Sequence, residues 1–366
     1  MLLIFLAVWT AMHVYVFSRS ASVPFIREHV PKWVLWSIAV ILWPTYIVGR
    51  ILSQFGAGGI GHAIEYLGAT WIGVLFFALV CLFVTDVATG FGFLLPRLAP
   101  TLRGLALLVA ATFVVIASVQ AVRPPVLREY EVQMRNLPPE SDGMVLVVAS
   151  DLHVGALLGT DWLGARVEDI QALRPDLIIL AGDIVEGDEQ AQRRLVPFFH
   201  SLSAPLGVWA VTGNHEYYNG VDRSVRVLED SGIRVLRDRW AEARPGLIIA
   251  GVDDLTIRRR AARDTNFVQQ ALASKPDGAA TILMSHTPLQ TEQAANAGVG
   301  LMLSGHTHNG QIWPFTYLVQ LAFPRVYGDY KVGDMTLIVC RGTGTWGPRM
   351  RLWNRSELLR IRLRRT

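Results

Sequence analysis

Four long apolar stretches fill the first third of the chain, at residues 2–17, 33–52, 69–95 and 105–122. A helix that crosses a bilayer needs about 20 predominantly apolar residues. The first stretch is shorter than the others, but no positively charged region precedes it, so we interpret it as an anchor rather than a cleaved signal peptide. The pattern predicts four N-terminal transmembrane helices in a membrane domain of residues 1–124.

The pattern changes after the helix-breaking sequence Arg123-Pro124-Pro125. Short apolar runs now end in polar residues and are separated by segments with helical periodicity. Continuous apolar runs of this kind predict strands that are buried on both faces. Strands that alternate with helices predict a layered α/β domain, which we assign to residues 125–366. Sheets of this kind place their functional sites at the ends of strands.

Composition supports this division. The chain is 51% hydrophobic and 17% charged, with a net charge of +4. Residues 1–124 hold seven Lys/Arg and three Asp/Glu, whereas the rest of the chain holds 27 of each sign. Eight arginines between residues 341 and 365 form either a solvated surface strand or a face that rests on anionic lipid headgroups. The chain has no basic–aromatic repeat, so we expect no nucleic-acid partner.

Basic residues near the apolar stretches predict an orientation. If four helices cross, the amino terminus and the large domain lie on the same side. The two loops on the opposite side carry five Lys/Arg, against three near the helix ends on the domain side. Cytoplasmic loops carry the excess of Lys/Arg. The count therefore predicts an integral protein of a bacterial-type inner or plasma membrane, with its large domain facing outward.

Metal-binding side chains follow the predicted strands in five short segments. Five of the nine histidines of the chain lie in these segments, together with carboxylates and an amide. Oxygen donors and imidazoles that converge from strand ends predict a site for two divalent metals. The segments are Asp151-Leu152-His153, Gly182-Asp183, Gly213-Asn214-His215-Glu216, Ser285-His286 and Gly305-His306-Thr307-His308.

Hydrolysis of a phosphoester needs such a donor set. Two metal ions about 3.5–4 Å apart lower the pKa of a bound water and neutralise the charge that develops on the phosphate. A carboxylate can bridge the two ions, while neutral imidazoles complete their coordination. The glycines before Asp183, Asn214 and His306 are expected to permit sharp turns at the strand ends.

The five segments, in this order across residues 144–310, resemble the calcineurin-like metallophosphoesterase superfamily. The resemblance implies an α/β/β/α sandwich of two mixed sheets, with roles for nine residues. By this resemblance, Asp151, His153 and His308 bind the first metal, and Asn214, His286 and His306 bind the second. Asp183 bridges the two metals, His215 stabilises the transition state or protonates the leaving group, and Glu216 accepts a hydrogen bond that orients a histidine.

Two further segments resemble the membrane-associated branch that includes UDP-2,3-diacylglucosamine hydrolases. They are residues 305–312, with the aromatic-rich stretch after them, and residues 341–345. Asn309 stands where Gly is commoner, and Asn tolerates positive φ. The stretch 313–323 is either a core strand or loop, or an exposed apolar lip that admits an acyl chain. Asp253 either bonds near the site or forms a simple turn.

Together these features predict a membrane-anchored, dinuclear phosphoesterase that cleaves a phosphodiester or pyrophosphate bond of a lipid-linked substrate. We expect Mn²⁺, with Fe or Zn as alternatives. The alternatives stay open because the ligand types alone do not select one of these metals. Three alternatives stay open: a phosphoesterase domain that regulates a transmembrane transport or sensor module, action on a soluble phosphodiester, and a metal-binding scaffold without catalysis. Asp86, inside the third apolar stretch, either contacts a substrate or ion or bonds to a neighbouring helix.

Overall fold

The computed structural model describes residues 2–54, 58–155, 157–261 and 266–366. The chain forms two compact units. The helical unit comprises Met1–Arg123 and Gly347–Trp353, and the sheet unit comprises Pro124–Trp346 and Asn354–Thr366.

Apolar helices make up the first part of the helical unit. A break at Trp43 and Pro44 separates two of them, because proline cannot continue the hydrogen-bond ladder of the preceding helix. The helices are α1 (Leu2–Ser20), α2 (Pro24–His29), α3 (Lys32–Leu42), α4 (Thr45–Gln54), α5 (Gly58–Ala88) and α6 (Ala99–Val122), with a 3₁₀ turn at Gly90–Gly92.

The prediction of four transmembrane helices is wrong. Within the described residues, three helical stretches are long and apolar enough to cross a membrane: Lys32–Ser53, Gly58–Ala88 and Ala99–Val122. The first of them runs through α3 and most of α4, across the break at Trp43 and Pro44. The remaining stretch does form helix α1, but its apolar run of residues 2–17 is shorter than the roughly 20 residues that a span needs. It also contains a polar contact, because Trp71 donates its indole N–H to Nε2 of His13 at 2.9 Å.

Asp86 is held by side chains of neighbouring helices. Its carboxylate lies 2.6 Å from Nε of Arg19 and 2.7 Å from Nη2 of Arg103, and it accepts a 2.8 Å hydrogen bond from the Tyr15 hydroxyl. Asp86 itself is fully buried. Of the two alternatives for this residue, the structure shows the bond to neighbouring helices.

A short segment from the end of the chain packs among these helices. We call Gly347–Trp353 the inserted segment. Its Arg351 donates a backbone N–H to the carbonyl of Ala117 at 2.9 Å, and its Trp353 donates one to Oε1 of Gln120 at 2.9 Å. Ala117 and Gln120 both belong to α6, so the helical unit is completed by residues more than 200 positions later in the chain.

The sheet unit contains two mixed six-stranded sheets, in the orders β1-β12-β2-β3-β4-β5 and β10-β11-β9-β8-β7-β6. This confirms the predicted α/β fold with two mixed sheets. The strands are β1 (Val126–Met134), β2 (Val145–Ala149), β3 (Leu177–Leu180), β4 (Val208–Ala210), β5 (Arg234–Val235), β6 (Arg239–Arg244), β7 (Leu247–Val252), β8 (Ala280–Ser285), β9 (Leu301–Ser304), β10 (Gly328–Val332), β11 (Met335–Val339) and β12 (Glu357–Arg365).

The sheet unit also contains helices, several of which cover the outer faces of the sheets. They are α7 (Thr160–Ala172), α8 (Glu189–Arg193), α9 (Val196–His200), α10 (Asn214–Tyr218), α11 (Val221–Asp230), α12 (Leu255–Ala261), α13 (Phe267–Ala271), α14 (Thr291–Asn296) and α15 (Thr316–Ala322), with 3₁₀ turns at Pro139–Ser141 and His308–Gly310.

Strand β2 shows why the apolar runs become central strands. Leu146 and Val148 point into the core between the two sheets, whereas Val147 and Ala149 point into the core beneath the helices of the outer face. Successive side chains of a strand point to opposite faces, so a strand that is buried on both sides must be apolar throughout. The parallel strands β2, β3 and β4 end at one edge of their sheet, and β8 and β9 are parallel neighbours in the other.

Three of the eight arginines near the end of the chain pair with acids. Arg341 bonds to buried Glu357 at 2.8 Å, Arg360 lies 2.7 Å from Glu129 and Arg364 lies 3.1 Å from Glu131. The last two pairs link β12 to its parallel neighbour β1. These contacts favour the surface-strand interpretation over a face that binds lipid headgroups.

Candidate metal centre

The eight predicted site residues all follow strand ends of the sheet unit. Asp151 and His153 follow β2, Asp183 follows β3, Asn214 and His215 begin α10 after β4, and His286, His306 and His308 follow β8 and β9. All are buried except His306, which is partly exposed.

Two groups of predicted ligand atoms form within this site, beside a third group that consists of His153, Glu186 and His215. The side chains of Asp151, His153 and His308 offer atoms that all lie within 4.8 Å of one another, and those of Asp183, His286 and His306 form a second group by the same measure. These are the sets predicted for the first metal and, with the bridging carboxylate, for the second. The remaining predicted ligand, Asn214, offers an amide oxygen.

Distances between these atoms fit bound cations. Nε2 of His308 lies 3.2 Å from Oδ1 of Asp151 and 3.1 Å from Nε2 of His153. In the second group, Nε2 of His286 lies 3.1 Å from Oδ2 of Asp183. Ligand atoms bound at about 2.0–2.2 Å to one ion are separated by about 3–3.5 Å. The observed separations therefore suit ligands that share a cation.

The two groups adjoin each other. Nε2 of His153 lies 3.8 Å from Oδ2 of Asp183, and Nε2 of His286 lies 3.9 Å from Oδ1 of Asp151. Each contact joins a member of one group to a member of the other. The geometry is that of a single cluster with two binding positions, in which Asp183 faces both.

Asn214 offers a further candidate ligand atom. Its Oδ1 is buried and has no hydrogen-bond partner among the described residues. A buried polar atom without a partner costs free energy. An amide oxygen in this state, one residue after Gly213 at the cluster, suits a metal ligand.

Electrostatics also favour a cation. Burial alone raises the pKa of the Asp183 carboxyl, but the charges of His286 and His215 outweigh burial and hold this pKa well below its usual range. Burial lowers the pKa of His286, yet the charges of Asp183 and Asp151 raise it well above its usual value. The carboxylates therefore stay ionised and attract positive charge to this position.

Glu186 is a functional residue that the sequence analysis missed. Its buried Oε1 accepts a 2.8 Å hydrogen bond from Nδ1 of His153 and lies 2.6 Å from Nδ1 of His215. A carboxylate at Nδ1 fixes the tautomer and leaves Nε2 directed at the site. Its position three residues after Asp183 was the available signal, since the loop after a ligand-bearing strand often supplies such a partner.

Glu216 has a different role from the one expected. Its carboxylate accepts backbone N–H groups of Gly213, Asp183, Ile184 and Val185 at 2.7–3.0 Å, and no histidine is among these partners. Burial and the charge of Asp183 raise the pKa of Glu216 to about 7, although the donors from Val185 and Gly213 lower it. Glu216 thus fixes the loop that carries Asp183.

The backbone of the ligands is itself unusual. Asp151, His153, Asp183, His306 and His308 all have positive φ, between 48° and 71°. Residues other than glycine rarely adopt this region, and each costs on the order of 1–3 kcal/mol unless its surroundings impose it. Such outliers cluster at functional sites, and here they direct five side chains inward.

Two of the three predicted glycines are needed because side-chain oxygens lie close to their backbone, rather than because the chain makes a sharp turn there. Gly182 has φ +86° as expected. A Cβ at Gly213 would instead lie 2.1 Å from Oδ1 of Asp183, and one at Gly305 would lie 1.9 Å from Oγ of Ser150. Ser150 in turn donates a 2.6 Å hydrogen bond to Asp151. The backbone therefore touches the carboxylates and holds them in place.

The surroundings of His215 are aromatic. Its ring lies 5.4 Å from that of Tyr218 and 6.4 Å from that of Trp346.

Asp253 bonds to residues outside the two ligand groups. It accepts hydrogen bonds from the Thr212 hydroxyl at 2.8 Å and from the Arg237 guanidinium at 2.9 Å. It stabilises the end of β4 through Thr212, one residue before Gly213.

Comparison with known proteins gives consistent matches. Residues 144–310 match the family model described as calcineurin-like phosphoesterase. The chain is 31% identical over 351 residues to a Danio rerio protein described as a transmembrane protein with metallophosphoesterase domain, covering 90% of this chain and 80% of that protein. A Bos taurus protein of the same description is 30% identical, covering 70% of this chain and 61% of that protein. An uncharacterized metallophosphoesterase of Helicobacter pylori is 33% identical, covering 65% of this chain and 64% of that protein.

Proposed function

The chain belongs to the calcineurin-like metallophosphoesterases and is a phosphoester hydrolase, and we propose that it uses two divalent ions to cleave a phosphodiester or pyrophosphate bond of a lipid-linked substrate. The observation that carries the dinuclear proposal is the pair of adjoining ligand groups, joined by the 3.8 Å contact between His153 and Asp183. Asp151, His153 and His308 would hold one ion, Asn214, His286 and His306 would hold the other, and Asp183 would be a ligand common to both.

When bound, the ions supply an activated water and positive charge opposite the phosphate. We propose Mn²⁺ as the native metal, with Fe or Zn as alternatives, because a donor set of oxygen and imidazole nitrogen without a thiolate suits all three. The nearest candidates for thiolate ligands, Cys81 and Cys340, are outside both groups.

His215 is the proposed acid. Its backbone N–H donates to Oδ1 of Asp183 at 2.8 Å, which fixes the residue beside the cluster. Glu186 at Nδ1 leaves Nε2 as the atom that exchanges a proton. When the P–O bond breaks, its electron pair stays on the departing oxygen, and that oxygen takes the proton from Nε2. A positioned histidine contributes about 10²–10⁴-fold to such a step.

The lipid-linked substrate is supported by the three helices of membrane-spanning length and composition in the same chain. A hydrolase that is anchored in a membrane meets lipids at high effective concentration. We therefore propose an integral protein of a bacterial-type inner or plasma membrane. The resemblance of residues 305–312 and 341–345 to UDP-2,3-diacylglucosamine hydrolases supports a nucleotide-linked lipid as one candidate substrate.

The proposed orientation does not depend on whether α1 crosses. Arg19 and Arg27 precede the first of the three candidate spans, Lys32 begins it, and Arg97 and Arg103 lie around the start of the last. These five basic residues lie on the side of the membrane opposite the sheet unit whether the chain crosses the membrane three times or four times. The excess of positive charge places them in the cytoplasm, so we propose that the sheet unit faces outward.

The test is turnover by the full chain in detergent after removal of metal with a chelator. We expect activity to return with Mn²⁺, with about two ions bound per chain, and to be highest on a lipid phosphodiester or lipid-linked pyrophosphate. Turnover of soluble phosphodiesters alone would refute the lipid proposal, and activity without any bound ion would refute the metal proposal.

His215→Ala tests the role of the proposed acid without removing a proposed metal ligand. We expect a loss of about 10²–10⁴-fold in kcat with metal content unchanged, because the proton donor is removed while the ligand groups stay intact. Exposed His200 in α9 offers the matched control, since His200→Ala removes a histidine outside both ligand groups. Full activity of His215→Ala would exclude it as the acid.

A further inference from the structure

An exposed apolar segment follows directly after the metal-ligand loop. We call residues 312–323 the apolar segment; no charged residue occurs from Ile312 to Pro324. It contains helix α15, which has no buried residue. Leu321 is 84% exposed, Tyr317 59% and Leu318 57%. This exposure argues against the core strand or loop, whereas admission of an acyl chain stays a prediction.

These side chains share one surface of α15. Tyr317 and Leu321 are four residues apart, and Leu318 and Leu321 are three apart, so all three project from the same side of the helix. A contiguous apolar patch of this kind on a protein surface marks an interaction site.

The apolar segment is fixed to the metal centre at both ends. Near its start, Thr316 donates a 2.6 Å hydrogen bond to the carbonyl of Asn309, and Asn354 donates one to Thr316 at 3.1 Å. At its end, the ring of Phe323 stands edge-on to the ring of His306 at 5.0 Å. Its exposure is therefore built into the ligand loop and is not the consequence of a loose linker.

Chain connections point to the occupant of this surface. Gln311, one residue before the apolar segment, bonds to Trp346 twice: its Nε2 donates to the Trp346 carbonyl at 2.8 Å, and its Oε1 accepts the Trp346 N–H at 2.9 Å. Trp346 is followed directly by Gly347, the first residue of the inserted segment, whose Arg351 bonds to the spanning-length helix α6.

The composition of the apolar segment fits a bilayer interface. Trp313 and Tyr317 are of the types that concentrate at the level of the headgroups. The segment is too short to span a bilayer, and it holds no acidic side chain that anionic headgroups would repel.

We propose that the face of α15 formed by Tyr317, Leu318 and Leu321 inserts into the interface of the bilayer that holds the helical unit. The ligand loop is then held at the headgroup level, so that a lipid phosphate reaches His306 without leaving the membrane. This last consequence rests on the proposed function, whereas the insertion itself does not.

Insertion is tested with a fluorescent label on the full chain in vesicles of phosphatidylcholine and phosphatidylglycerol. Leu321→Cys in a Cys81→Ser background is labelled with bimane, since the remaining Cys340 is buried. The control is Gln190→Cys on exposed α8. Lipids with brominated acyl chains should quench the label at 321 several-fold more than the label at 190, and aqueous iodide should show the reverse order.

Equal iodide quenching at both positions, without quenching by brominated lipids, would overturn the proposal. Protection of the label at 321 from both quenchers would also overturn it, because protein, such as a second copy of the chain, would then cover the face. Neither readout needs an active enzyme, so failure of the proposed function would not alter this result.

A kinetic comparison tests the consequence for substrates. In Leu318→Ser/Leu321→Ser, we expect the apparent KM for a phosphodiester embedded in vesicles to rise about tenfold, with kcat/KM for a soluble nitrophenyl phosphodiester unchanged. Leu127→Ser, at a 41% exposed position of β1, is the matched control and should change neither value. An equal loss on both substrates, or no loss on either, would overturn the consequence. Absence of turnover of any phosphoester by the parent chain would instead refute the proposed function.

Discussion

At the scale of single residues, the Glu186 carboxylate fixes two histidines at once. One oxygen lies within 2.8 Å of Nδ1 in both His153 and His215, so a proposed metal ligand and the proposed acid share one orienting group. Carboxylates that orient ligand histidines are typically worth about 10–100-fold in metal affinity or activity.

We therefore predict that Glu186→Gln lowers kcat about 10–100-fold at saturating Mn²⁺ and weakens metal binding, measured by turnover and by metal content after dialysis. The amide is neutral, so its oxygen holds the two histidines more weakly than the charged carboxylate does. Glu189→Gln is the control, because Glu189 pairs only with Arg193 on the exposed surface of α8. Equal metal content and kcat in both variants would show that the carboxylate does not orient the site.

Gly213 provides a second test at this scale. Gly213→Ala places a methyl group where Oδ1 of Asp183 lies, since the Cβ would be 2.1 Å away. A displacement of about 1 Å in a catalytic group can cost on the order of 10²-fold, so we expect at least this loss in kcat/KM.

Gly159→Ala is the matched control for Gly213→Ala. A Cβ at Gly159 would meet no heavy atom within 4 Å, and its φ of −91° suits alanine. Activity of this variant should stay within about twofold of the parent. If Gly213→Ala is equally active, Asp183 does not need its observed position.

The sequence indicated the candidate ligands but not the residues that support them. Each predicted ligand carries a side chain whose chemistry is visible in the sequence and stands directly after an apolar run. Glu186 and Glu216 are ordinary glutamates, and their partners depend on how the loops after β3 and β4 fold. Glu216 was expected to orient a histidine, yet it accepts four backbone N–H groups instead.

At the scale of elements, the loops after the strands carry the strained backbone of the site. The strands themselves were predictable, because burial on both faces demands continuous apolar runs such as that of β2. The positive φ of Asp151 or His308 was not, because Asp and His adopt this region more often than most residues but still only rarely. Helix α5 also begins at Gly58, eleven residues before the predicted stretch, since its first turns contain Gly, His and Glu that lower the local hydropathy.

The contact of Asp86 with two arginines yields a prediction for the helical unit. Asp86→Asn leaves Arg19 and Arg103 without their carboxylate, and removing one partner of a buried ion pair costs about 3–5 kcal/mol. We expect a lower thermal stability of the detergent-purified chain, with kcat on a soluble phosphodiester unchanged at a temperature where both proteins are folded.

Glu28→Gln is the control for Asp86→Asn, because Glu28 is an exposed acid of the same unit. A change in kcat for Asp86→Asn, with stability unaltered, would instead support a transport or sensor role for this residue. Thermal unfolding and turnover on the same preparations separate the two outcomes.

At the scale of the whole molecule, the division of the chain was only partly visible in the sequence. The change from long apolar stretches to short runs marks where the helices end. It gives no hint that Gly347–Trp353 packs with those helices, because this packing depends on single contacts such as Arg351 to Ala117. The difference between four predicted and three candidate spans arises at α1, where the apolar run is short and His13 contacts Trp71.

Metal binding should stabilise the whole sheet unit. Ions that bind the folded state only, at about 100 times Kd, add about 2.7 kcal/mol, which corresponds to a rise in Tm on the order of 5–10 °C for a unit of this size. We predict this rise between chelated and Mn²⁺-loaded full chain, measured by scanning calorimetry. Mg²⁺ at equal concentration tests for a general ionic effect, and an unchanged Tm with Mn²⁺ would contradict the proposed site.

The inserted segment also has a consequence for biosynthesis. The ribosome completes α6 at Val122 but adds Gly347 only about 220 residues later. At about 5–20 residues per second, the wait is roughly 10–45 s. During that interval the carbonyl of Ala117 has no Arg351 to accept from, so the helices enter the membrane as an unfinished assembly. Their final packing can follow only when translation is nearly over.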